Sequence, residues 1–238
     1  MRSTDQNTPN MINYSLGEFS KRLIIHHHDD LFVAHEHLFQ NDTPTRFYHH
    51  NTNTFLFLIK GDIYLQQITP EKGEEETALK QHQGIWLAAH SVNTITLLTP
   101  AVEFCLIRLN ATDHIDKSEL FKKVSSGTVE STVGRRQIKT WPLWQGPSGQ
   151  VILELYPPQF KETLYYQKQS SQYFLPLSGT ALVYNEKKSL QPFPPYGKVF
   201  KKKEPRAIFN PSSESTTVLS VTTAQPDSGR VLLLSKKT

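Results

Sequence analysis

Residues 33–61, VAHEHLFQNDTPTRFYHHNTNTFLFLIKG, decide the fold because the pattern recurs. Residues 151–179, VILELYPPQFKETLYYQKQSSQYFLPLSG, align with them without a gap at an offset of 118 (151 − 33). Val33/Val151, Glu36/Glu154, Tyr48/Tyr166 and Gly61/Gly179 coincide, and Phe47/Tyr165, Phe55/Tyr173 and Phe57/Leu175 match in character. Each copy runs on into a second strand-like segment (Asp62–Leu65, Thr180–Val183), a polar excursion and another glycine (Gly84, Gly197). Spacing and polarity shared over that length point to a duplicated β unit.

The rest of the chain agrees with two such units. At 238 residues there is room for two domains of ordinary size, each long enough to bury a core. Hydrophobic residues make up 37% and charged residues 20%, which excludes a disordered chain. The only cysteine, Cys105, sits in an apolar run and reads as a buried structural residue, so disulfides are excluded. No apolar run is long enough to span a bilayer, and the polar first residues do not read as a signal peptide. A cytoplasmic location without membrane contact is the expectation.

Charge divides the halves. Residues 1–134 hold 11 Lys and Arg against 16 Asp and Glu, a net of −5, while residues 135–238 hold 15 against 6, a net of +9. From Leu23 onward the chain reads as short aromatic and β-branched runs between polar turns, such as Phe55–Ile59, Thr94–Leu98, Val151–Leu155 and Val218–Val221. One helix is predicted over Asp116–Val124, capped by Asp116 or Ser118, with Leu120 and Phe121 turned inward. Residues 1–12 read as a disordered lead and Ser125–Arg136 as a linker or exposed loop.

The aromatic, paired histidines, apolar run and glycine of residues 48–61 resemble the first motif of the cupins. Residues 84–93, GIWLAAHSVN, resemble the second. Two copies in one chain look like a bicupin, from about Leu23 to Leu234. The resemblance implies an all-β fold of two tandem cupin-type jelly-roll barrels, with the short helix and linker between them. The expected organisation is a lead over 1–12, an N-terminal barrel over 13–112, helix and linker over 113–136, and a degenerate C-terminal barrel over 137–238.

Metal-binding cupins carry two histidines and a glutamate ahead of the first-motif glycine, and a third histidine in the second motif. Carried over, those positions hold Tyr48, His50, Thr54 and Asn93 here, with His90 near the last. One ligand of four is kept. The second copy has Tyr166, Lys168 and Gln172, with Arg206 near the third histidine, and keeps none. Lysine and arginine there would repel a cation.

Nine of the ten histidines precede residue 91. Val33, His35, His37 and Phe39 share one strand face, and their counterparts Val151, Leu153, Leu155 and Pro157 are apolar. That match predicts that His35 and His37 point into the barrel and that Glu36 points away. The leading expectation is a pocket for a small sugar or carboxylate, lined by His35, His37, Tyr48, His50, Thr54 and Asn93, without the complete family metal site. One alternative is a divalent transition metal on His35, His37 and His50 serving a dioxygenase or isomerase. Another is a non-catalytic structural or interaction protein.

Lys198, Lys201, Lys202, Lys203 and Arg206 form a dense basic segment, read either as an anion patch or as a solvated edge. No aromatic residues interleave with the lysines and no helix-turn-helix pattern is present, which speaks against nucleic acid. Hydrolase, Walker, dinucleotide and paired-cysteine zinc motifs are absent. The family resemblance also implies a homodimer.

Overall fold

The computed structural model describes residues 12–109, 115–134, 137–184, 189–223 and 229–233. They form two compact units, the first of residues 12–108 and 115–123, the second of residue 109 and the described residues from 124 on. Among the described residues no helix is long and apolar enough to cross a membrane.

The first unit is built from ten strands: β1 Ile12–Ser15, β2 Lys21–His28, β3 Leu31–Phe39, β4 Thr45–His49, β5 Thr54–Lys60, β6 Ile63–Thr69, β7 Gly73–Leu79, β8 Gly84–Leu87, β9 Val92–Leu97 and β10 Ala101–Leu109. They make a sheet of order β1-β2-β3-β10-β5-β8 and a second of order β4-β9-β6-β7. Leu38, Tyr48, Leu56, Leu58, Ile63, Leu65, Ile85, Ile95, Leu97, Phe104 and Leu106 form one buried cluster drawn from both sheets. Two sheets closed on one core are a jelly-roll barrel.

The second unit repeats the plan. Its strands are β11 Thr132–Val133, β12 Lys139–Gly146, β13 Gly149–Tyr156, β14 Tyr165–Gln167, β15 Gln172–Ser178, β16 Leu182–Tyr184, β17 Leu190–Pro192, β18 Lys198–Phe200, β19 Ala207–Phe209, β20 Thr216–Thr223 and β21 Arg230–Leu232. One sheet has the order β11-β12-β13-β20-β15-β18, the first sheet's order moved on by ten strands. The order β17-β16-β19 likewise repeats β7-β6-β9, and a bridge from Tyr165 to Arg206 sets β14 beside it. Both bounds of β15 lie 118 residues beyond those of β5 (172 − 54 and 178 − 60). Gly61 and Gly179 close these strands at φ +80° and +73°, where a Cβ would meet Thr99 and Ala101 or Thr216. That explains the glycine at the end of both copies.

The predicted helix does not form. Asp116 instead caps a turn by accepting from the Ser118 amide at 2.8 Å, Leu120 bridges Trp86, and Phe121 turns at φ +61° while its amide reaches the Trp86 carbonyl. Nine residues make a marginal helix, and here pairing beside β8 takes their backbone groups. Thr132–Val133 of the expected linker pair with β12. Of the expected lead only Ile12, which opens β1, lies within the described residues.

Candidate functional site

Alternation along β3 places Glu36 and Leu38 on one face and His35 and His37 on the other. Leu38 belongs to the first barrel's core and Glu36 meets core Tyr48, so Glu36 faces the lumen. The expected inward placement of His35 and His37 is therefore corrected. Apolar counterparts do not mark the interior here, because this sheet is buried on both faces. Leu31, Val33, Phe55, Phe57, Cys105 and Ile107, on the face away from the lumen, are wholly covered too. A sheet covered on both sides carries apolar residues at successive positions, and alternation then no longer tells inside from outside.

His35 is buried, and that burial, with His37 beside it, lowers its pKa to about 3. His37 lies 3.6 Å from the Glu103 carboxylate. Neither joins His50. Among the described residues no three His, Cys, Asp or Glu side chains gather closely enough to hold a metal, so the trio His35, His37, His50 does not assemble.

The lumen is instead organised around Glu36, which is fully buried. It accepts hydrogen bonds from the Arg22 guanidinium and the Tyr48 hydroxyl, and Arg46 Nε lies 3.3 Å away. Arg22 and Arg46 also stand 5.7 and 5.4 Å from the centre of the Tyr48 ring. Burial first, and the Glu36 charge second, push the Tyr48 phenol well above its usual range, so it remains a donor. Arg22 came with β2, whose register sets it opposite Glu36.

A third arginine, Arg108, shares the inner face of β10 with Leu106 and Phe104. Its guanidinium lies flat on Phe32 at 3.8 Å, and its Nε is buried without a hydrogen-bond partner. Burial, then Arg22, lowers its pKa, and no carboxylate offsets them. His50 is similar. Burial, then Arg108 and Arg22, bring its pKa down to about 4, and its Nε2 has no partner. Arg108 opens onto a cavity of ≈ 440 Å³ lined also by Tyr14, Arg22, Ile24, His27 and Phe32, among others.

The remaining expected residues also lie inside this barrel. Tyr48 and Asn93 are opposite one another across β4 and β9, and the Tyr48 and His50 rings are 5.8 Å apart. Thr54 is buried on the inner face of β5 and donates to the Thr52 carbonyl, and Asn93 bonds Gln67. A metal does not fit this set. It offers one imidazole, a phenol held protonated, a hydroxyl and an amide, in the field of three guanidinium groups. The residues that sequence reading missed are Arg22, Glu36, Arg46 and Arg108. The Glu36/Glu154 identity was the available signal, since a carboxylate kept in both copies of a buried strand requires a partner.

The second barrel closes the equivalent space with its own side chains. By strand pairing Arg206 stands where Asn93 does, only 1% exposed. Its Nε donates to Gln172 Oε1 at 2.9 Å and its Nη1 to the Glu204 carbonyl, and its charge lies 5.0 Å from the Tyr165 ring centre. Gln172, in the place of Thr54, also bonds Thr222 at 2.8 Å and Tyr165 at 3.2 Å. Arg230 also lies over Tyr165, 3.5 Å from its ring centre, and 3.3 Å from Glu162. Arg206 is thus no part of a surface anion patch. Lys201, Lys202 and Lys203 are exposed, and Lys198 lies 3.9 Å from Glu204.

Solved structures with the same architecture include an oxalate decarboxylase from Lactobacillus farciminis in complex with formate. It has a TM-score of 0.67 and 12% identity over 94% of this chain and 86% of that one. Vicilin from hazelnut, Corylus avellana, gives 0.68 at 9% identity with the same coverage. The Bacillus subtilis oxalate decarboxylase, studied for its Mn(II) centres, gives 0.65 at 9% over 94% and 78%. The chain has the cupin fold. No protein-family model and no curated protein sequence matches it. At these identities the likeness shows the cupin architecture, and the chemistry of this barrel rests on its own residues.

Proposed function

We propose that the first cupin barrel binds a small organic carboxylate, and that the second barrel is a structural partner without a ligand. One observation carries this reading. Arg108 lines a cavity with its Nε unpartnered, while the only buried carboxylate nearby among the described residues, Glu36, is already engaged by Arg22, Arg46 and Tyr48. Three guanidinium charges against one carboxylate leave a local excess of positive charge that an anion would neutralise. This excess favours the carboxylate over the sugar. A planar carboxylate matches the guanidinium fork, and such charge-assisted hydrogen bonds are the strong ones.

The parts have distinct roles. Phe32 holds the Arg108 guanidinium by stacking, so little side-chain freedom is lost on binding. Glu36 fixes Arg22 and, through it, the electrostatic boundary of the cavity. His50 lies outside the cavity lining and acts on it through the field it shares with Arg108 and Arg22. Binding and orientation are the chemistry these residues supply. Oxalate and formate, the anions named for the bacterial neighbours, are the first probes, with malonate as a longer one. Thermal unfolding at low salt, with and without each anion, tests the reading. At least one should raise Tm, and Arg108→Ala should remove the rise. A Tm indifferent to all three, or a rise that survives in Arg108→Ala, would contradict it.

A further inference from the structure

The first barrel contains a second cavity, of ≈ 430 Å³, whose lining includes Gln67, Thr69, Ala88, Ala89, Ile115 and Leu120. It shares no lining residue with the Arg108 cavity. The geometry points to a separate binding site there for an uncharged molecule with an apolar body and one hydroxyl or amide N–H donor, recognised by Gln67.

A hydrogen-bond chain runs to Gln67, and its direction is fixed at the other end. The Ser91 hydroxyl donates to the Ala88 carbonyl at 2.6 Å, so its proton is spent. Its oxygen then accepts from Asn93 Nδ2 at 3.0 Å. Asn93 is thereby oriented, and its Oδ1 accepts from Gln67 Nε2 at 2.6 Å. Each step decides which end of the next amide is oxygen, the usual ambiguity of Asn and Gln. The chain ends on Gln67 Oε1, an acceptor on a residue of 0% exposure, with no partner. A buried acceptor left bare costs about 1–3 kcal/mol, so whatever occupies the cavity beside it must bring a donor.

The surroundings fix the rest of the class. Ala88, Ala89, Pro70, Ile115 and Leu120 make the walls mostly apolar. The charged rim is matched within itself, Lys117 with Glu71 and Lys72 with Glu75 at 3.9 Å. No unbalanced charge calls for an ion, unlike the Arg108 cavity. The volume falls within the range of small-molecule sites.

The test is titration of the full chain with phenol and benzamide, and with anisole, which lacks the donor, followed through side-chain amide signals in 1H–15N NMR spectra. Phenol or benzamide should move the Gln67 amide signals saturably, and anisole should bind about ten-fold more weakly or not at all. Gln67→Leu should weaken binding by a similar factor, the size expected for one hydrogen bond. Leu120→Trp narrows the cavity and leaves the hydrogen-bond chain untouched, and it should weaken binding without changing the response to oxalate. If neither phenol nor benzamide binds saturably, or anisole binds as well as they do, the proposal is overturned. Unchanged binding in Gln67→Leu overturns it as well. Should that variant fail to fold, unchanged binding in Leu120→Trp does so.

Discussion

In the first barrel, the strand position opposite Tyr48 holds Asn93, and the lumen's cations look outward into a cavity. In the second barrel the matching position holds Arg206, which reaches back into the lumen and spends its hydrogen bonds on Gln172 and the Glu204 carbonyl. Each barrel keeps the inward glutamate of the repeat, and each glutamate accepts from a tyrosine, Tyr48 for Glu36 and, from the position that Leu38 holds in the first copy, Tyr156 for Glu154. The same β frame thus gives one lumen whose arginine is engaged by the protein's own groups and one whose arginine is left without a hydrogen-bond acceptor. The difference lies in where the cation starts. Arg206 enters from the strand that faces Gln172, while Arg108 is stacked on Phe32, away from Glu36, and finds no acceptor.

The largest expected effect tests the closed side of that comparison. Arg206→Ala removes one member of a buried network and should cost about 3–5 kcal/mol in denaturant unfolding, whereas Arg206→Met, close in volume and without charge, should cost far less. Arg108→Ala, by contrast, removes a half-buried charge whose Nε has no hydrogen-bond partner, and should leave unliganded stability little changed or raised. Equal losses for the two alanine variants would erase the distinction between the barrels.

Acid should separate the barrels next. Burial holds His35 near 3 and His50 near 4, below the usual 6.5. Between those values the unfolded chain takes up protons that the folded barrel refuses, so stability is highest above about 6.5 and declines as pH falls. The slope is ~1.4 kcal/mol per pH unit for His35, and less for the partly exposed His50. Residues 115–238 contain no histidine. Hydrogen exchange at pH 7 and pH 5 should therefore show protection lost in β3 and β10 well before β13 and β20. Equal loss in both would count against a histidine origin.

A smaller effect follows on binding. A bound anion favours the charged imidazole and raises the His50 pKa, so carboxylate affinity should increase several-fold from pH 7 to pH 5.5 and the increase should vanish in His50→Gln. The smallest effect belongs to the basic segment. Lys201, Lys202 and Lys203 changed together to Gln should shift stability by less than about 0.5 kcal/mol and leave carboxylate binding unaltered.

The repeat made much of this fold legible. An offset of 118 read from residues 33–61 and 151–179 reappears in the bounds of β5 and β15 and in the paired turn glycines. The site was harder to read, for physical reasons. Alternation assigns faces only where one side of a sheet meets water, and β3 is covered on both, so His35 and His37 were given the lumen that Glu36 occupies. Arg108 sits in the run AVEFCLIRL with nothing local to mark it, because its significance comes from Phe32 and Arg22, distant in sequence. The short helix read from Asp116–Val124 failed because Trp86 competes for the backbone of Leu120 and Phe121.

The most direct test of one open and one closed barrel is the stoichiometry of carboxylate binding by titration calorimetry, using whichever of oxalate, formate or malonate raises Tm most. One site per chain is expected, abolished in Arg108→Ala and retained in Arg206→Met. Two sites per chain, or a single site lost in Arg206→Met and kept in Arg108→Ala, would contradict it.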